Sequence, residues 1–164
     1  MERTTAATVQ GELRSDGVPA TRAIGRALGL EARPGTFIAL IGELGAGKTQ
    51  LAKGVAEGLE VPTIVNSPTF VLMNEHVGRL RLYHVDAYRL AQPEEAVDAG
   101  LIEERQSDGV VVVEWADRLE GWLPADRLEI TITGDVADAS VRTLRWTASG
   151  TVHAHLADAA LDSR

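Results

Sequence analysis

The 164-residue chain contains no cysteine. That excludes a disulfide framework, a thiolate metal site and a cysteine nucleophile, and it suits a reducing compartment. No Cys/His cluster or His-x-x-x-His spacing suggests zinc. No run of apolar residues is long enough to span a bilayer. Met1 to Gly11 carries Glu2 and no apolar stretch, so no secretory signal is expected there, and the cytoplasm is the expected location. A basic excess is lacking too: 16 Lys and Arg against 24 Asp and Glu leave a net charge of −8. An acidic chain grips nucleic acid poorly unaided, because that needs concentrated basic surface. Lysine is nearly absent. Arg fills almost every basic position, and only Lys48 and Lys53 are lysines.

The length fits one globular domain, and 45% hydrophobic residues are enough to bury its core. Residues 1–18 read as a polar N-terminal segment with weak periodicity, 19–156 as the folded domain, and 157–164 as a flexible Ala/Asp-rich tail. Ala23, Ile24, Ala27, Leu28 and Leu30 predict an amphipathic helix with Thr21 at its N-cap. Thr36 to Ile41 and Val110 to Val113 are short continuous apolar runs, as in strands buried on both faces. Leu51, Val55, Ala56 and Leu59 follow at helical spacing. Thr63-Ile64-Val65 is a short β-branched run, and 70–73 with 80–85 predict a hairpin around Gly78. Pro93-Glu94-Glu95 suits the opening turn of a helix. Leu128 to Ile132 and Val141 to Trp146 alternate and predict an antiparallel edge hairpin.

Gly42-Glu43-Leu44-Gly45-Ala46-Gly47-Lys48-Thr49 matches G-x-x-x-x-G-K-[ST] at every defined position. Chance supplies such a match about once in 500 chains of this composition. A buried strand before it and a helix after it are the context a phosphate-binding loop needs. Glycines let successive backbone N–H groups curl around an anion, and the helix that follows presents its positive end. Lys48 brings a compact charge to the β- and γ-phosphates, and the Thr49 hydroxyl can ligate Mg²⁺. Arg is too bulky for the loop's interior, which gives the rare lysine its reason. The remaining alternative is a glycine-rich turn.

Such a loop binds phosphates without naming the reaction; transfer or hydrolysis also needs acids around the metal. Asp86 and Glu114 each end a strand-like run, where ligands of doubly wound sheets gather. Asp86 would hold Mg²⁺ directly or through water; Glu114 could hold the same metal or orient the attacking water. Thr69, in Ser67-Pro68-Thr69, lies where many such proteins sense the γ-phosphate, although from spacing alone a plain Ser-Pro turn accounts for it better. His84 and Trp115, beside the two acids, read as structural residues.

Taken together, Gly42 to Thr49, Ser67 to Phe70, Tyr83-His84-Val85-Asp86-Ala87-Tyr88-Arg89-Leu90 and Val113-Glu114-Trp115 resemble the TsaE (YjeE) ATPases of bacteria. Pro93-Glu94-Glu95 and Leu123-Pro124 resemble them as well, and the match runs from about Thr21 to Trp146. The resemblance implies a single-domain α/β P-loop NTPase fold with a mixed central sheet. It implies ATP phosphates on Gly42, Gly45, Ala46, Gly47, Lys48, Thr49 and Gln50, with nucleotide contacts near Val18 and Arg142. Mg²⁺ would sit on Thr49 and Glu114, Asp86 would be a further Walker-B-like catalytic acid, and Thr69 would belong to a switch-like loop. The implied role is to reset a heterodimer of TsaB and TsaD by ATP hydrolysis during threonylcarbamoyladenosine modification of tRNA, touching the RNA only indirectly.

Other P-loop classes fit less well. The Asn/Thr-Lys-x-Asp element of GTPases and the Leu-Ser-Gly-Gly-Gln run of ABC-type ATPases are both missing. A small-molecule kinase would need an Arg-rich lid; Arg79, Arg81 and Arg89 are available, but the hairpin and helix expected around them leave no obvious lid. A nucleotide-gated assembly module without appreciable hydrolysis is the alternative from outside the enzymes.

Overall fold

A computed structural model describes residues 8–43, 45–62, 73–88, 90, 92–95 and 107–162. Seven strands form one sheet in the order β1-β7-β6-β2-β5-β4-β3. They are β1 (Thr8–Ser15), β2 (Thr36–Gly42), β3 (Met73–Val77), β4 (Arg81–Asp86), β5 (Val110–Glu114), β6 (Leu128–Gly134) and β7 (Arg142–Ser149). The central pairs β6–β2, β2–β5 and β5–β4 are parallel, whereas β1–β7, β7–β6 and β3–β4 are antiparallel. Helices α1 (Val18–Glu31), α2 (Lys48–Gly58) and α3 (Thr151–Ala160) accompany it.

The uninterrupted apolar runs of β2 and β5 have their cause in two cores. Ile38, Leu40, Val110 and Val112 face the core that holds residues of all three helices. Phe37, Ala39, Val111 and Val113 face the opposite core, closed by Ala87, Leu90, Ala116 and Leu119. A strand buried on both faces leaves no position for a polar residue. Both hairpins form, β3–β4 with its first strand at Met73–Val77 instead of 70–73, and β6–β7 one strand in from the edge, because β1 pairs with β7. Thr63 to Val65, residues 70–72 and the helix beyond Glu95 lie outside the described residues.

Helices α1 and α2 meet backbone to backbone. A Cβ added at Gly25 would lie 2.3 Å from the Leu51 carbonyl oxygen, and one at Gly54 2.3 Å from that of Arg22. Gly29 and Gly58 repeat the arrangement one turn on, at 2.2 Å from the carbonyls of Val55 and Arg26. Glu57 on α2 binds both Arg22 and Arg26 of α1 at the rim, and those guanidinium groups hold its carboxyl below the usual range.

The chain ends differ from their polar appearance. Thr8–Ser15 is the edge strand, in antiparallel register with β7. An edge strand with one covered face needs few apolar residues, and here only Leu13 and Ser15 are buried. Gly11 faces Trp146, whose indole would be 2.5 Å from any added Cβ. Helix α1 starts at Val18, three residues before the expected cap; the Thr21 hydroxyl instead pairs with that of Ser15 at 2.7 Å. The boundary at residue 157 also falls inside structure, because α3 runs to Ala160 and buries Leu156, Ala157, Ala160 and Leu161. His153 fixes this helix: its Nε2 accepts the Phe37 N–H at 2.9 Å, and Nδ1 donates to the Ser149 carbonyl at 3.1 Å. Burial pushes the pKa of this imidazole below 6.5, against smaller opposing effects of Ser149 and Asp126.

Candidate active site

A cleft of about 610 Å³ opens where β2 turns into α2. Its floor is the glycine-rich loop. Gly45 and Gly47 have φ of +81° and +116°, values that L side chains rarely adopt. Gly42 is glycine for another reason: a Cβ there would lie 2.7 Å from the Ile132 carbonyl of neighbouring β6. Arg142, at the start of β7, holds the loop from outside. Its Nε donates to the Ala46 carbonyl at 3.0 Å and its Nη2 to that of Gly45 at 3.3 Å. Val18 and Thr21 come to the opposite wall through the short β1–α1 turn and the glycine contact of α1 with α2.

Lys48 begins α2 and is only 5% exposed. Its Nζ donates to the carbonyls of Gly42 at 2.6 Å and Glu43 at 2.8 Å. The ammonium also lies 4.1 Å from the ring centroid of Trp115. Burial lowers its pKa, opposed by the charges of Glu114, Asp117 and Asp86.

Parallel register puts Asp86 of β4 beside Glu114 of β5. Glu114 is buried, and its Oε1 accepts the Thr49 hydroxyl at 2.8 Å. Its Oε2 lies 2.5 Å from Nε2 of His84, which is fully buried. Asp86 accepts the Tyr88 backbone N–H at 2.9 Å. The backbone turns at Trp115 with φ of +59°, in the left-handed region that disfavours large side chains. Such strain persists only where surrounding structure over-determines it, as at functional sites. Here it accompanies an indole placed over Lys48 and against Tyr88, with ring centroids 4.8 Å apart.

Of the residues singled out from sequence, Val18, Gly45, Ala46, Gly47, Lys48, Thr49, Gln50, Asp86, Glu114 and Arg142 line this one cleft. Gly42 lies beneath it as an acceptor for Lys48. Thr69 lies outside the described residues. Gly17, Thr21, Tyr88, Trp115, Ala139 and Ser140 line the cleft without having been singled out for it. For Tyr88 and Trp115 the usable signal was adjacency to Asp86 and Glu114; for the others the sequence carried none.

The donor chemistry fits a magnesium nucleotide. One hydroxyl and two carboxylates offer the hard oxygens that Mg²⁺ takes, while positive-φ glycines free backbone N–H groups for phosphate. Among the described residues no cluster of three or more His, Cys, Asp or Glu forms a metal cage. Mg²⁺ held by one or two carboxylates together with phosphates needs none. Among the same residues no helix is long and apolar enough to cross a membrane.

Comparison with known proteins agrees with the fold and the loop. Residues 16–143 match the family model described as threonylcarbamoyl adenosine biosynthesis protein TsaE. The chain is 45% identical over 131 residues to the tRNA threonylcarbamoyladenosine biosynthesis protein TsaE of Bacillus subtilis, covering 79% of this chain and 80% of that protein. It is 39% identical to the protein of the same description from Streptomyces coelicolor, covering 79% and 89%. The crystal structure of Bacillus subtilis YdiB superposes with a TM-score of 0.73 at 33% identity, over 93% of this chain and 94% of that one.

Proposed function

This chain belongs to the TsaE family, and we propose that it is a Mg²⁺-dependent ATPase serving threonylcarbamoyladenosine modification of tRNA in the cytoplasm. It acts on a complex of TsaB and TsaD, which carries out the modification, and resets that complex by ATP binding and hydrolysis.

The observation that carries this reading is the 2.8 Å hydrogen bond between Thr49 and Glu114. It joins the glycine-rich loop to the acid of the next strand at the phosphate end of the cleft. Backbone N–H groups from Gly45 to Thr49 cradle the phosphates, with Gln50 following on α2. Lys48 is held beneath them on two carbonyls, and phosphate charge favours its charged form against burial. Mg²⁺ bound here would supply positive charge against the phosphates. Thr49 and Glu114 would hold it, and Asp86 would add a second, Walker-B-like carboxylate that holds the metal directly or through water. Thr69 contributes a residue that responds to the γ-phosphate. Val18 and Arg142 contact the nucleotide. The net charge of −8 supports contact with tRNA through the partner proteins.

The test is the threonylcarbamoyladenosine content of bulk tRNA after depletion of this protein in its host. We expect loss of the nucleoside, restored by wild type but by neither Lys48→Ala nor Glu114→Ala, both of which retain the fold. Unchanged content under effective depletion would refute the assignment. Phosphate transfer from ATP to a small acceptor would replace it with a kinase, and assembly without any hydrolysis with a switch.

A further inference from the structure

His84 lies behind Glu114, outside the cleft, on β4 two residues before Asp86. It is fully buried. Register places it beside Val112, so it faces the helices as Glu114 and Asp86 do. Its Nε2 is 2.5 Å from Oε2 of Glu114, while Oε1 takes the Thr49 hydroxyl. A carboxylate only accepts, so Nε2 is the donor in this contact. Nδ1 of the same ring is buried and has no hydrogen-bond partner among the described residues.

A buried polar atom left unsatisfied costs about 1–3 kcal/mol. Beside it on this face, Leu82 and Val112 are aliphatic and fully buried, whereas Asn74 on β3 and Asp86 are polar and half-buried. An aliphatic residue at position 84 would continue the packing of Leu82 and Val112 without the unsatisfied nitrogen. What the histidine adds is the contact with Glu114. A glutamate side chain has several rotors, and ordering it opposes binding by about 1.5–2 kcal/mol. Held by His84 on one oxygen and Thr49 on the other, Glu114 is ordered before any ligand arrives.

We propose that His84 is a positioning residue: it grips Oε2 of Glu114 so that Oε1 stays beside the Thr49 hydroxyl, and it thereby sets the affinity for the Mg²⁺–nucleotide complex. The inference rests on the reading of Thr49 and Glu114 as the Mg²⁺-holding pair. It is tested by calorimetric titration of ADP over a range of Mg²⁺ concentrations, with wild type, His84→Leu and His84→Gln. His84→Leu should need about 10–100-fold more Mg²⁺ for the same gain in ADP affinity, the usual effect of losing a partner that orients a metal ligand. Its metal-free ADP affinity should stay at the wild-type value. His84→Gln, whose amide N–H reaches close to the place of Nε2, should recover most of the Mg²⁺ response. A wild-type Mg²⁺ response in His84→Leu, or equal losses in the two variants, would overturn the inference alone. A wild type whose ADP affinity ignores Mg²⁺ would overturn the underlying reading as well. Where His84→Leu does not fold, ¹⁵N-histidine spectra of the wild type decide: His84 is expected to carry a proton on Nε2, and a His84 whose Nε2 carries none overturns the inference.

Discussion

Substituting Gly25 by alanine tests whether backbone contact between α1 and α2 holds the cleft together. The added Cβ would lie 2.3 Å from the Leu51 oxygen, 2.9 Å from the Gly54 Cα and 3.0 Å from the Val55 nitrogen. All three are backbone atoms, so no side-chain rotation relieves the clash, and the helices must separate by about 1 Å. Overpacking of this kind costs about 1–3 kcal/mol. Separation also weakens dispersion contact at Gly29 and Gly58, one turn away. In the other direction, alanine is a better helix former than glycine by about 1 kcal/mol. The expected net loss is up to about 2 kcal/mol, which moves a urea midpoint down by up to about 1 M. ADP affinity should fall with it, because Val18 and Thr21 move with α1. Gly17→Ala is the stability control. Its Cβ would meet only Pro19 Cδ at 3.8 Å, so only the N-cap preference for glycine over alanine is lost, and its midpoint should fall by less than that of Gly25→Ala. A Gly25→Ala midpoint at or above wild type with unchanged slope would refute the contact, since helix propensity would then have outweighed a clash that was not there.

Two further outcomes follow from single contacts. The pKa of folded His153 is below 6.5, so the unfolded chain binds more protons between the two values. Its contribution to stability is therefore complete above pH 6.5 and is lost as pH falls through 6.5 toward the folded value. Urea midpoints between pH 5 and 8 should show this decline in wild type and less of it in His153→Gln; equal slopes would refute it. Arg142→Ala removes two bonds to the loop carbonyls of Gly45 and Ala46. It should weaken ADP binding by about 1–2 kcal/mol, roughly 5–30-fold, because hydrogen bonds from charged groups contribute about that much. Arg142→Lys should restore only part, lacking the planar fork; an unchanged dissociation constant for Arg142→Ala would refute the bracing role.

What could be read from the sequence alone was local. The glycine-rich loop sits within eight consecutive residues, because its physics lies in its own backbone and in the helix that follows. The runs of β2 and β5 announced burial on both faces, the β3–β4 hairpin followed from strand-like segments around the Gly78 turn, and the β6–β7 hairpin from alternation. Asp86 and Glu114 stood at strand ends, which is where parallel sheets bring ligands. Tertiary structure decided what depended on partners far along the chain. Thr8–Ser15 looks like a polar lead-in until β7 supplies its hydrogen bonds, and α3 looks like a frayed tail until β2 and the helical core cover it. Nothing in Gly25, Gly29, Gly54 or Gly58 taken singly shows that they face one another. His84 reads as one more residue of a core strand until parallel register aligns β4 with β5 and brings its ring to the carboxylate of Glu114. A propensity belongs to a residue and its chain neighbours; a contact belongs to two places that only folding brings together.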